Sequence, residues 1–181
     1  MKTKAIITIM VLLAGAGPAK AVLVFDSGYN IFDESYGQES EVYVENDAIL
    51  DVIGGDIAVY LMSTDIAQVN LFGGNINTLW TREDSVAKIY GGIIQWLVSD
   101  EDSIVYLFAY NVTFHPQLPA PGHPLYGSSA WIEGIYINND VSFSFGVGPQ
   151  GESYSHINII PEPTTILLLG LGSMIVIRKR K

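Results

Sequence analysis

Leu50-Asp51-Val52-Ile53-Gly54-Gly55, Val69-Asn70-Leu71-Phe72-Gly73-Gly74, Ala87-Lys88-Ile89-Tyr90-Gly91-Gly92 and Val105-Tyr106-Leu107-Phe108-Ala109-Tyr110 are four versions of one phrase. The glycine pair recurs after 19 and then 18 residues, and a further step of 18 lands on Ala109-Tyr110, which fills the slot without glycine. The first and third positions of each phrase are apolar, while the second holds Asp51, Asn70, Lys88 or Tyr106. That is the period-two alternation of a strand with one face turned inward. Glycine then suits a corner that needs positive φ or close backbone stacking. Beyond the corner, Ile57, Ile76, Ile94 and Val112 are followed two residues on by Val59, Thr78, Trp96 and Phe114, read as a second inward-facing strand.

Short strands at a fixed period of 18 to 19 predict an all-β fold, a small parallel β-helix or solenoid. Its coils stack at about 4.8 Å, and one coil alone cannot bury its apolar face. An antiparallel β-sandwich also has strands and turns at regular intervals, but repeated inward positions favour the solenoid. Four coils are clear. Part of a fifth lies in Glu39 to Asn46, where Val42-Tyr43-Val44 stands 17 residues before Val59-Tyr60-Leu61. The repeat region is assigned to residues 22–114.

Residues 115–160 read differently. His115 to Pro124 holds four prolines in ten residues and is expected to be a loop or linker. Strands are expected around Ser129 to Ile137 and Val141 to Val147, turning at Asn138-Asn139-Asp140, with a last strand within Ser155 to Ile160. We expect these to form a hairpin cap over the final coil.

The ends carry targeting chemistry. Met1 to Ala21 has the layout of a secretory signal peptide. Lys2 and Lys4 precede an apolar run, Gly17 and Pro18 break it, and Ala19 and Ala21 offer small residues for cleavage. At the other end, Pro161-Glu162-Pro163 precedes the apolar stretch Thr164 to Ile177 and the basic cluster Arg178-Lys179-Arg180-Lys181. Proline stops preceding structure, and the cations are expected to stay cytoplasmic by the positive-inside rule. Both apolar segments are expected to be removable helices.

The run Pro161-Glu162-Pro163-Thr164-Thr165-Ile166-Leu167-Leu168-Leu169-Gly170-Leu171-Gly172, ending in Arg-Lys-Arg-Lys, resembles the PEP-CTERM sorting domain of Gram-negative bacteria. The resemblance implies processing by an exosortase after export by way of signal peptidase. It also implies transient inner-membrane insertion through the C-terminal helix, and a life on the cell surface or in an exopolysaccharide matrix such as a biofilm. More weakly, the hairpin and the Tyr154-Ser155-His156 strand resemble the ends of other small exported proteins of this kind.

Charge supports an extracellular setting. Residues 22–160 hold eighteen acidic residues against Arg82 and Lys88, a net charge of −16. Such a polyanion repels nucleic acid, which is bound through clustered Lys and Arg. There is no cysteine, so no disulfide framework or thiolate site exists.

Three constellations remain. Asp47, Asp65, Asp84 and Asp102 recur once per coil, so stacking would set them in a column. Either the column binds calcium or each carboxylate bonds the backbone of its turn, and we expect the second. Ile53, Phe72, Tyr90 and Phe108 form a second column pointing outward. Phe72, Tyr90 and Phe108 are therefore the candidate ligand-binding residues, with extracellular polysaccharide as the ligand class. His115, His123 and His156 lack ligand spacing, and no Gly-x-Ser-x-Gly elbow occurs. No catalytic residue, cofactor or metal site is assigned. The expected function is structural or adhesive, with a carbohydrate-binding module as the alternative and a small polysaccharide-acting enzyme third.

Overall fold

A computed structural model describes residues 22–115, 130–148 and 152–161. The expected apolar end helices lie outside these residues. Among the described ones no helix is long and apolar enough to cross a membrane.

The chain forms a β-solenoid of about five turns. Its strands are β1 (Val22–Phe25), β2 (Tyr29–Phe32), β3 (Gln38–Val44), β4 (Ile49–Val52), β5 (Asp56–Ser63), β6 (Gln68–Leu71), β7 (Asn75–Thr81), β8 (Val86–Ile89), β9 (Ile93–Ser99), β10 (Ile104–His115), β11 (Ala130–Tyr136), β12 (Ser142–Val147) and β13 (Ile157–Ile160). Strands β1, β3, β5, β7 and β9 pair in parallel along one side. Along the other side β2, β4, β6, β8, the first half of β10 and finally β13 also pair in parallel. Parallel pairing throughout the repeats excludes the sandwich.

The inward positions of the short strands agree with the sequence. Leu50, Val69, Ala87 and Val105 lie in register, as do Phe32, Val52, Leu71, Ile89 and Leu107, and all nine are fully buried. Each buried aliphatic side chain contributes about 1.5–3 kcal/mol.

The second strand needs correction. In β7 and β9 the buried apolar residues are Ile76 and Leu79, and Ile94 and Leu97, with two half-exposed residues between each pair. Two inward residues three apart mark a bend in the strand, not alternation. Thr78 and Trp96 therefore point away from the core, and Val59 falls where the ladder between β5 and β7 shifts register. Strand β5 has eight residues where β7 and β9 have seven. This one-residue bulge turns a step of 18 into 19. It also places Val42 opposite Leu61, so that coil stands 19 residues earlier and not 17. A further coil, β1 with β2, precedes it.

The end of the repeat follows from the missing glycines. With Ala109-Tyr110 in the corner slot, β10 continues through it, bulging at Asn111 (φ 51°) where its ladder with β11 shifts register, and leaves the solenoid path. Its second half pairs antiparallel with β11, which pairs antiparallel with β12, and β12 docks in parallel on β9. The two sides are thus joined into one sheet at this end. Ile132, Tyr136, Phe143, Phe145 and Val147 fill the space beneath. Asp140 carries the hairpin turn with φ 56°. Gly146 is required where the Trp96 ring lies against β12, because a Cβ there would stand inside contact distance of that ring.

At the turn after the long strands the core changes character. Val44 and Ala48 of the early coils give way to Ser63, Thr81, Ser85, Ser99 and Ser103, all buried. Their hydroxyls bond across coils, Ser63 to Ser85 at 3.1 Å, Thr81 to Ser99 at 2.9 Å and Thr81 to Ser103 at 3.1 Å, and within one turn Ser99 to Ser103 at 2.7 Å. Ser153, from the short 3-10 turn Glu152–His156, closes the column by accepting from the Ser99 N–H at 3.0 Å. Polar groups buried this deeply are tolerated because each finds a partner.

Candidate functional site

The glycine corners define the most distinctive surface. Gly55, Gly74 and Gly92 have φ of 82°, 87° and 92°, where a Cβ is costly. Their neighbours Gly73 and Gly91 face a different constraint. A Cβ on either would stand 2.6 Å from the carbonyl oxygen of Ile53 or Phe72 in the preceding coil. The corners therefore stack with no side chain between them and leave a trough. It has a cavity volume of about 490 Å³ and is lined by Glu34, Gln38, Asp56 and Asn75, with Ile53 and Ile93 as apolar edges. Gln38, Asp56, Asn75 and Ile93 open successive long strands and lie in register. Glu34 comes from the 3-10 turn Glu34–Tyr36, which replaces a glycine pair in the first coil. Asp33 caps that turn, and the hydroxyl of Ser35, with its N–H second, holds the Asp33 carboxyl below the usual range.

The aromatic column stands beside the trough. Phe72 and Tyr90 stack with ring centroids 4.9 Å apart and planes within 6°, and Tyr90 and Phe108 at 4.2 Å and 17°. The three candidate binding residues are thus brought together, as the period predicts. Their faces are turned to one another, however, and the column presents ring edges. A sugar ring stacks on an aromatic face, so the ladder serves coil stacking first. Such pairs contribute about 0.5–1.5 kcal/mol each beyond their area.

The acidic column does not form as expected. Asn46, Asp65, Glu83 and Glu101 occupy one turn position, with φ of 55°, 57°, 56° and 59°. Asp47, Asp84 and Asp102 follow it by one residue, and Ile66 takes the place given to Asp65. The cause is again the extra residue in β5. The carboxylates reach back one coil: the Asn46 N–H donates to Asp65 Oδ2 and the Asp65 N–H to Glu83 Oε2, both at 3.0 Å. Arg82 pairs with Glu101 at 3.1 Å. Among the described residues no group of three His, Asp or Glu side chains is placed to hold a metal ion.

His115 and His156 lie apart. His115 stacks on Trp131 at 4.0 Å and meets Glu133 Oε1 through Nε2 at 3.1 Å. His156 Nδ1 lies 2.9 Å from the Ser103 carbonyl oxygen. Of the processing residues, Pro161 is exposed directly after β13. Ala19, Ala21, Glu162, Pro163, Arg178, Lys179, Arg180 and Lys181, like His123, lie outside the described residues. Sequence reading missed the trough itself and the outward cluster in which Tyr43 and Tyr60 bond each other and Tyr60 donates to Glu41 at 3.0 Å. The hydrogen bond with Tyr43 raises the Tyr60 phenol above its usual range. The trough had a signal in the glycine spacing; the cluster had none, because the bulge in β5 hid its register.

These features define a class, a short acidic β-solenoid whose repeats end in a hairpin and whose last strand runs directly into a processing signal. Residues 160–181 match the family model of the PEP-CTERM protein-sorting motif, so the chain carries a motif that implies processing by an exosortase. Searches of curated proteins and of solved structures found no match.

Proposed function

We propose that the processed body is a structural or adhesive element of the cell surface or the extracellular matrix. The observation that carries this reading is the junction at Ile160, where the last solenoid strand ends and the sorting motif begins. The motif implies export and sorting to the surface. The body it delivers is a rigid stack whose aromatic, carboxylate and hydroxyl ladders bond coil to coil. That arrangement supports a mechanical role. A non-catalytic reading is supported by the engagement of turn carboxylates with backbone N–H groups, and by the absence of a nucleophile elbow.

A second reading, carbohydrate binding, is favoured by the trough, whose carboxylates and amides suit a neutral hydroxyl-rich chain. Processing is tested by intact mass of the protein from an exosortase-bearing host. The expected product lacks Thr164 to Lys181; a mass retaining them overturns that part of the reading. A glycan array on the same material separates the two roles. Binding lost in Asp56→Ala and Asn75→Ala establishes the second, and no binding leaves the structural one.

A further inference from the structure

The two ends of the parallel side are not alike in burial, and the difference points to what completes them. Strands β2, β4, β6, β8 and β13 have four residues each and, with the first half of β10, run in the same direction. Among the described residues β2 pairs with β4 alone and β13 with β10 alone. The column Phe32, Val52, Leu71, Ile89 and Leu107 is fully buried, yet its next member, the inward-facing Ile159, is 36% exposed. At one end of this column Tyr36 stacks on Phe32 at 4.9 Å and closes it, whereas at the other end none of the described residues stacks on Ile159 and the position is half-open. Unpaired edges of this kind template further strands.

We propose that β13 of one copy pairs in parallel with β2 of a second copy, continuing the solenoid head to tail. Direction and strand length match, with the Tyr36 ring of the second copy lying on Phe32 at that end. The register follows from the columns: Ile159 falls against Phe32 of the second copy, and outward Asn158 against outward Ile31. The contact is heterologous, so its repetition gives an open filament, not a closed dimer. The inference needs only the two edges, and holds whether or not the surface binds a glycan.

A cysteine-free chain makes the test clean. Adjacent parallel strands set facing Cα atoms about 4.8 Å apart, within the roughly 4.4–6.8 Å that a disulfide spans. Within one copy Ile31 and Asn158 lie at opposite ends of the side, about 24 Å apart by the same spacing. The processed protein is taken from an exosortase-bearing host, its ends fixed by mass, so that failed processing is seen separately from failed assembly. Ile31→Cys/Asn158→Cys is expected to give a ladder of disulfide-linked multimers under mild oxidation. Tyr29→Cys/Asn158→Cys, two residues out of register, is expected to give at least tenfold less. The wild type is expected to sediment faster as concentration rises, and Ile159→Lys to remain monomeric with an unchanged circular dichroism spectrum. A wild type that stays monomeric at every concentration overturns the proposal. So does a register double variant that yields only dimers, or equal cross-linking by both double variants.

Discussion

Each coil closes through two turns, and they solve the same backbone problem in opposite ways. Both need a residue at positive φ. At the trough that residue is Gly55, Gly74 or Gly92; at the opposite turn it is Asn46, Asp65, Glu83 or Glu101. The left-handed conformation costs a residue with a Cβ about 1–2 kcal/mol. At the acidic turn Asp65 and Glu83 offset that cost by accepting a backbone N–H from the preceding coil, and Glu101 pairs with Arg82. At the trough no side chain is admissible, because the adjacent glycine meets the preceding coil's carbonyl oxygen. Where stacking brings backbone against backbone, only glycine serves; where a gap remains, a short polar side chain fills it and ties the coils together.

The comparison predicts a graded set of responses. Gly73→Ala is expected to destabilise the protein most, by about 3 kcal/mol, since the clash is with backbone and the coils must part. Chemical denaturation measures it, and a loss under 1 kcal/mol would show that the corner has slack. At the fourth corner slot the expectation reverses. Ala109 is buried in a continuous strand, so Ala109→Gly loses stability instead of gaining it, by about 1 kcal/mol.

At the acidic turn, Asp65→Ala removes the bond to the Asn46 N–H but keeps the strained backbone, and is expected to cost about 1–2 kcal/mol. Asp65→Gly removes both the bond and the strain, and is expected to be less harmful by about 1 kcal/mol. Thermal melts of the pair decide it; the opposite order would mean the side chain, not the backbone, sets the turn. The smallest effect concerns cations. With Asp65 and Glu83 turned to backbone N–H groups, added divalent ions act by screening the net charge. Calcium and magnesium at equal ionic strength are therefore expected to raise Tm equally. A distinctly larger rise with calcium would assign these carboxylates a metal.

Much of this molecule is legible in the sequence because a solenoid writes its inward columns at a fixed period. Leu50, Val69, Ala87 and Val105 declare the core, Phe72, Tyr90 and Phe108 the ladder, and the run from Pro161 the sorting signal, since each depends only on local residue type and spacing. What the period does not disclose is any change within a coil. One extra residue in β5 moved Asp65 out of the expected column, and a bend in the long strands turned Thr78 and Trp96 outward; both are settled by which backbone groups pair across coils. The antiparallel closure by β10, β11 and β12, and the half-open Ile159 beyond it, likewise exist only in three dimensions. Residue chemistry determined that coils would stack; contact between coils decided where each side chain meets its neighbour and where the stack is left unfinished.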